Sequence, residues 1–191
     1  KAGRVTTLAG TAGVQGGNDG SGASASFNYP TGIAVDSGGN NIYVADCVNS
    51  TIRVISGYGV VTTLAGYQGN NGSVDDIGSN ARFYNPLSLA LDSVGNIYVT
   101  DSNNSTIRKI SPSGMVSTFA GSAGQKGHLD ATGVAARFIT PAGIAVDGAG
   151  NIYVTDVGDS TIRKITPSGG GTTIGGNGTL SSGDGVGTSA G

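Results

Sequence analysis

The stretch PAGIAVDGAGNIYVTDVGDSTIRKI at residues 141–165 closely repeats two earlier stretches of the chain. These are PLSLALDSVGNIYVTDSNNSTIRKI at residues 86–110 and PTGIAVDSGGNNIYVADCVNSTIRVI at residues 30–55. Equivalent aspartates recur at a constant interval of 55 residues (101 − 46 and 156 − 101). The first copy is longer only in a turn, which repeats of independent hairpins tolerate. Copies of this length, made of short strands and glycine turns, predict propeller blades or a β-solenoid.

The composition favours an all-β fold. The 191-residue chain contains 36 glycines and 12 acidic residues, and every acidic residue is Asp. Without Glu and with few Lys, the chain is poor in helix-forming surface residues. The net charge is −2 and the basic residues are spread through the repeats, which argues against nucleic acid as a partner. No apolar run is long enough to cross a bilayer, so we expect no membrane insertion.

Each copy contains four strand-like segments joined by turns rich in Asp, Asn, Ser and Gly. Such turns favour hairpins, and three successive hairpins predict a four-stranded antiparallel blade. We therefore predict three full blades and partial terminal strands, as part of a closed ring or an open repeat assembly. The predicted parts of the single segment 1–191 are an orphan outer strand at 1–10, blades at 11–66, 67–121 and 122–176, and the start of the next inter-blade loop at 177–191.

Apolar residues lie on both faces of the predicted strands, so each sheet must be covered twice. Blades stacked face to face provide both covers. We expect the first strand of each blade to begin near Thr31, Leu87 and Ala142. Six aliphatic side chains should then be buried between blades: Ile42, Val44, Ile97, Val99, Ile152 and Val154.

A long glycine-rich connection precedes each blade and ends in an aromatic residue. Phe27, Phe83 and Phe138 each stand three residues before the proline that opens a copy. We expect this recurring aromatic to bury the end of the connection against the blade.

The motifs P-x-G-I-A-V-D, G-N-I-Y-V-x-D and x-I-R-K-I recur in this order between Pro30 and Ile165. Together they resemble the NHL repeat, a β-propeller family. The resemblance implies four-stranded blades, commonly six to a propeller, so the three blades are expected to be part of a six-bladed ring or an open repeat assembly. The long glycine-rich connections look like those of bacterial secreted members.

Two sets of repeated aspartates are candidate site residues. One set precedes an arginine by seven residues in every copy, in the pairs Asp46 and Arg53, Asp101 and Arg108, and Asp156 and Arg163. An acidic ring for a metal or substrate is one interpretation. We favour turn capping and an Asp–Arg pair, because catalysis needs one asymmetric site. The other set ends the first strand of each copy and either faces a ligand or bonds its own hairpin turn: Asp36, Asp92 and Asp147.

Metal and catalytic chemistry find little support in the sequence. Calcium is conceivable at residues 18–20 or 75–76, but neither has the spaced oxygen ligands of a known loop. His128 is the single histidine and Cys47 the single cysteine, so a multi-histidine zinc site within the chain is excluded. Propeller lactonases and lyases use axial Glu or His ligands, and this chain has no Glu. We expect no cofactor and no enzyme activity.

The sequence therefore predicts a non-catalytic extracellular or cell-surface scaffold. Three blades leave two apolar faces open, so the expected partners are additional blades or other copies of the chain, in a ring, a filament or a longer parent chain. Protein or glycan ligands are further candidate partners. One alternative is part of a propeller hydrolase or lyase whose catalytic residues lie outside this chain. The other is a carbohydrate-binding propeller, against which the burial of Tyr43, Tyr98 and Tyr153 inside strands would count.

Overall fold

The computed structural model describes residues 3–178 and 184–189. Within them the chain forms thirteen β-strands and five 3-10 turns, and no α-helix is present among these residues. No helix in the described part is long and apolar enough to span a membrane. The strands are β1 (Gly20–Ser21), β2 (Pro30–Val35), β3 (Asn41–Asp46), β4 (Thr51–Ser56), β5 (Val60–Gly66), β6 (Pro86–Leu91), β7 (Ile97–Asp101), β8 (Thr106–Ile110), β9 (Val116–Gly121), β10 (Pro141–Val146), β11 (Ile152–Asp156), β12 (Thr161–Ile165) and β13 (Gly171–Gly175).

The strands form three antiparallel meanders, which are the predicted blades. Blade 1 contains β2 to β5, blade 2 contains β6 to β9, and blade 3 contains β10 to β13, each with its strands in sequence order. The two-residue strand β1 adds to the outer edge of blade 1. The all-β blade architecture is confirmed, and the first strands begin one residue before the predicted positions, at a proline in every copy.

The first strands of successive blades lie next to one another, with β6 between β2 and β10. The approach is closest at Gly32, where an added Cβ would lie 2.6 Å from the Cα of Ser88. Side-chain hydroxyls bridge the blades here, because Thr31 donates to the carbonyl of Leu87 and Thr100 donates to the carbonyl of Ala142, each at 2.7 Å. Small residues near the axis therefore serve close packing of one blade on the next.

Two apolar cores fill the spaces between the blades. The first joins Ala45 and Ile52 of blade 1 to Ile97 and Val99 of blade 2. The second joins Tyr98 and Ile107 of blade 2 to aliphatic residues of blade 3. Of the six aliphatic residues expected between blades, Ile97, Val99, Ile152 and Val154 are buried there. Val44 is buried in a third cluster formed by blade 1 and its own connection, and Ile42 beside it is half-buried.

Each blade has a leading face, directed at the preceding blade, and a trailing face, directed at the next. Leu89 on the leading face of blade 2 is 3% exposed, whereas its equivalent in blade 1, Ile33, is 67% exposed. Ile107 on the trailing face of blade 2 is 0% exposed, whereas its equivalent in blade 3, Ile162, is 40% exposed. At these two positions the exposure of the side chain follows the presence of a neighbouring blade.

The orphan outer strand predicted at residues 1–10 is not formed in the described residues 3–10, so this expectation is wrong. The segment has no blade of its own to pair with, because the strand that would stand beside it is not part of the described chain. Of the connection predicted at 177–191, residues 179–183, 190 and 191 lie outside the described residues, as do residues 1 and 2.

Replacement of Ile107 by Ala should lower the free energy of unfolding by about 2–5 kcal/mol, because it opens a cavity in the core between blades 2 and 3. Urea denaturation measures the loss. Val94→Ala is the control, since Val94 is 71% exposed, and it should change stability by less than about 0.5 kcal/mol. Equal losses in the two variants would contradict the packing described.

Candidate functional site

The predicted Asp–Arg pairs form at the buried end of blades 1 and 2. Asp46 accepts a hydrogen bond from Arg53 at 2.8 Å, and Asp101 accepts one from Arg108 at 2.9 Å, with all four side chains buried. The two strands that carry each pair are neighbours in the sheet. The structural interpretation thus holds for these two blades, since each carboxylate neutralises a buried cation.

A second carboxylate, contributed by the preceding connection, binds each arginine. The connection residues Asp19, Asp75 and Asp130 bind the guanidinium groups of Arg53, Arg108 and Arg163, respectively, at 2.7, 2.5 and 2.6 Å. Each of these aspartates also accepts hydrogen bonds from the outer strand of its blade, at Thr63, Thr118 and Thr173. The aspartates considered for calcium at 18–20 and 75–76 therefore include two that already bind an arginine.

The guanidinium groups also contact backbone and aromatic atoms of the connection. Arg108 donates to the carbonyls of Arg82 and Val74 and lies 5.1 Å from the ring centroid of Phe83. The same ring contact recurs in the other blades, between Arg53 and Phe27 at 5.2 Å and between Arg163 and Phe138 at 4.9 Å. Phe83 and Phe138 are buried and anchor the connection as predicted, whereas Phe27 is half-buried. The contact of the three rings with a cation was not predicted. The nearly constant Phe-to-Arg spacing was the available signal, at 26, 25 and 25 residues (53 − 27, 108 − 83 and 163 − 138).

Blade 3 departs from this arrangement. Asp156 accepts hydrogen bonds from the backbone N–H groups of Ile139 and Thr140, and its carboxylate forms no ion pair with Arg163. The difference follows from Asp159, which replaces the asparagine that donates to the carboxylate in the other blades. An aspartate cannot donate in this way, and two adjacent carboxylates repel each other. The predicted pair Asp156–Arg163 is therefore wrong.

Asp159 instead binds His128, whose Nδ1 contacts its Oδ2. His128 stands where the other connections have Gly17 and Ser73, so two changes occur together in the third copy. Among the described residues no group of three or more His, Cys, Asp or Glu could hold a metal ion. Cys47 is buried, and burial together with the charge of Asp46 raises the pKa of its thiol.

The set Asp36, Asp92 and Asp147 bonds its own hairpin turns. In blade 3, Asp147 accepts hydrogen bonds from the side chain of Asn151, from backbone N–H groups and from the Tyr153 hydroxyl. These bonds, above all that from Asn151, lower the pKa of Asp147 to about 2. The equivalent bonds lower the pKa of the other two carboxyls as well, although desolvation opposes the change. Each carboxylate is occupied within its own turn.

The buried arginine network recurs in each of the segments that match a known family. The NHL repeat matches residues 27–55, 83–110 and 138–165. The chain belongs to the NHL-repeat family. It is 34% identical over 149 residues to protein SUPPRESSOR OF QUENCHING 1, chloroplastic, of Arabidopsis thaliana, covering 73% of this chain and 14% of that protein. It is 30% identical over 153 residues to NHL repeat-containing protein 2 of Bos taurus, covering 74% of this chain and 21% of that protein.

These NHL repeats span less than a quarter of the length of the two relatives. Solved structures similar to the chain are β-propellers. One of them is an auxiliary nutrient binding protein from Bacteroides thetaiotaomicron, with a TM-score of 0.61 and 25% identity, covering 69% of this chain and 36% of that chain. The three NHL blades therefore have the fold of about one third of that propeller.

Replacement of Asp101 by Ala should lower the free energy of unfolding by about 3–5 kcal/mol, because it leaves the buried Arg108 without its inner partner. Complete burial raises the pKa of Asp101 to about 6, against the opposing charge of Arg108, so the carboxylate is charged at neutral pH. Thermal or urea unfolding at neutral pH measures the loss. Asp75→Ala removes the half-exposed partner of the same guanidinium and should cost less, and the reverse order would contradict the assignment.

The low pKa of Asp147 predicts a loss of stability in acid. Its folded pKa of about 2 lies below the ordinary value of 3.8. The charged carboxylate therefore contributes stability above pH 3.8 that is lost as the pH falls toward 2. Carboxyl NMR titration should give a midpoint near 2 for Asp147. Asn151→Ala should move this midpoint upward, and an unchanged midpoint would show that the side-chain bond from Asn151 is not the cause.

Proposed function

We propose that the chain is a non-catalytic extracellular or cell-surface scaffold that binds further NHL blades through its two open faces. The observation that carries the proposal is the difference between equivalent isoleucines, 0% exposed at Ile107 and 40% exposed at Ile162. Apolar surface gains free energy when it leaves water. The leading face of blade 1, with Ile33 and Val35 exposed, offers the matching cover.

The two open faces complement each other because their equivalents already bind inside the chain. The trailing face of blade 2 meets the leading face of blade 3, and Thr100 donates across this contact to the carbonyl of Ala142. Thr155, the equivalent of Thr100, is exposed at the trailing face of blade 3. A blade equivalent to blade 1 would present the carbonyl of Thr31 to it.

Such a contact joins different surfaces of the two partners, so it repeats in one direction. It closes into a ring when the rotation permits, and otherwise it extends as a filament. Two copies would supply six blades in a ring. Further blades of a longer parent chain would satisfy the same faces.

One observation supports a binding role over catalysis. The repeated carboxylates of the described chain already bind arginines, backbone N–H groups or turn side chains. The alternative of a propeller hydrolase or lyase places the catalytic residues outside this chain. Its test is turnover of lactone or lyase substrates by the whole parent protein and not by residues 1–191.

A nutrient or glycan ligand is a second candidate, favoured by exposed aromatic side chains outside the strands. Tyr58, Tyr29 and Tyr67 are 96%, 67% and 55% exposed. A similar solved structure is that of an auxiliary nutrient binding protein. Tyrosine rings of this kind stack on sugars, and the assay is binding to a glycan array. Loss of a glycan signal in Tyr67→Ala, with Tyr67→Phe as the control that keeps the ring, would support it.

The proposal that the protein is secreted is based on its amino-acid composition. Low charge with abundant Gly, Ser, Thr and Asn is typical of secreted microbial surface proteins. Fractionation of the source cells, with detection of the chain in the medium or at the surface, tests this part. Recovery only from the cytoplasm would contradict it.

Sedimentation of the 191-residue chain should show an assembly that is larger than the 18.6 kDa monomer and grows with concentration. Ile162→Asp should abolish assembly by placing a charge on the trailing face, and Ile33→Asp should do so on the leading face. Val94→Asp, in an exposed turn, is the control. A stable monomer at every concentration would contradict the proposal.

An equimolar mixture of the two disrupted variants provides a further check. The Ile33→Asp chain keeps an intact trailing face, and the Ile162→Asp chain keeps an intact leading face. The mixture should therefore form a dimer that grows no further. No dimer in the mixture would show that the two faces do not bind each other.

A further inference from the structure

The sequence of the outer strand occurs four times although the chain has three blades. VTTLAG at residues 5–10 is identical to VTTLAG at residues 61–66, and VSTFAG at 116–121 and GTTIGG at 171–176 follow. The last three lie in β5, β9 and β13 and pair with the third strand of their blades. Residues 5–8 form no strand and are exposed. One copy of a strand-forming sequence is thus without a sheet.

The strand β13 of blade 3 is the weakest of the three outer strands by sequence. Its first residue, Gly171, stands where the other blades bury a valine, Val61 or Val116, each 0% exposed. Its last residue, Gly175, replaces a buried alanine. Glycine has low β-propensity and adds no side chain to the core. Val5 and Ala9 would supply both missing side chains if residues 5–10 occupied this edge.

The chain length between an outer strand and the next blade is constant. Twenty residues separate Gly66 from Pro86 and Gly121 from Pro141 (86 − 66 and 141 − 121), and the same number separates Gly10 from Pro30 (30 − 10). All three connections contain a 3-10 turn, at Gly22–Ser24, Gly78–Asn80 and Gly133–Ala135. Suppose that residues 5–10 of one copy occupy the outer-strand position of a blade in another copy. The connection of constant length then places blade 1 of the first copy on the trailing face of that blade.

We infer that copies of this chain join by strand exchange. Residues 5–10 of a second copy pair with β12 in place of β13, and blade 1 of that copy covers the trailing face of blade 3. The displaced part includes β13 and the following 3-10 turn Gly187–Ser189, which packs on it. The inference rests on the proposed binding of blades through open faces and adds the strand that joins them.

The register of blade 3 defines a cross-link for the test. Lys164 stands opposite Thr172 in the antiparallel pair of β12 and β13. Thr6 is the equivalent of Thr172 in the duplicated sequence, so it would stand opposite Lys164 after exchange. Opposed residues of antiparallel strands lie within the Cα separation that a disulfide requires. Cys47→Ser provides the background, because blade 2 has Ser102 at the same position.

Two single-cysteine chains are mixed, one with Thr6→Cys and the other with Lys164→Cys, and oxidised at equilibrium. We expect a disulfide-linked heterodimer on a non-reducing gel, in excess of either homodimer. The matched control carries Lys164→Cys and Thr172→Cys in one chain, which fixes β13 on β12. This locked chain should remain monomeric when oxidised and should assemble when reduced.

The possible results separate the two proposals. Assembly without the Thr6–Lys164 cross-link, or assembly of the locked chain equal to that of the reduced chain, would overturn strand exchange and leave the face contact in place. A chain that stays monomeric in sedimentation would overturn both. A cross-link between Thr6 and Lys164 that fails to form in the Ile162→Asp background would confirm that the strand and the face belong to one contact.

Discussion

A buried guanidinium is the constraint on which each blade depends. Removing a cation from water costs several kcal/mol unless anions and carbonyls surround it. Arg53, Arg108 and Arg163 meet this demand by drawing the preceding connection onto the blade, through its aspartate, its carbonyls and its phenylalanine. The path of this connection determines where the blade that carries the arginine begins. The arginines thus set the spacing between blades as well as the packing within them.

The NHL blades depend on one another in a linear order. Two of the three apolar cores lie between blades, and the third lies between blade 1 and its own connection, so the outer faces of the terminal blades are only partly covered. A position on a covered face, such as Ile107, is buried by the next blade, and its equivalent on the open face, Ile162, is not. The connection that precedes blade 1 also protects an edge, because its strand β1 pairs with the outer strand and reduces the exposed backbone there. At blade 1 the open face is therefore the surface left for a partner.

Much of this arrangement could be predicted from the sequence because the repeat supplies its own controls. The repeat period, the turn residues and the apolar residues on both strand faces predicted the blades. The seven-residue spacing predicted the pairs Asp46–Arg53 and Asp101–Arg108. The pairing of the connection aspartates Asp19, Asp75 and Asp130 with the arginines was missed because more than thirty residues separate the partners (53 − 19). Each of these aspartates nevertheless stands nine residues after a repeated glycine (19 − 10). The altered bonds of Asp156 depend on Asp159 and His128, which only folding brings together. The strand expected at residues 5–10 does not form, because it has no neighbouring strand to pair with.

The identity of residues 5–10 with residues 61–66 also bears on how the chain folds after synthesis. Strand β4 meets two partners with the same side chains, so contacts alone cannot distinguish them. Connectivity can, because closing a loop of about forty residues instead of three costs about 2 kcal/mol more in chain entropy. The short hairpin therefore forms first and occupies the edge. Correct pairing in such a chain follows from proximity in sequence, and the earlier-synthesised segment remains available for a later partner.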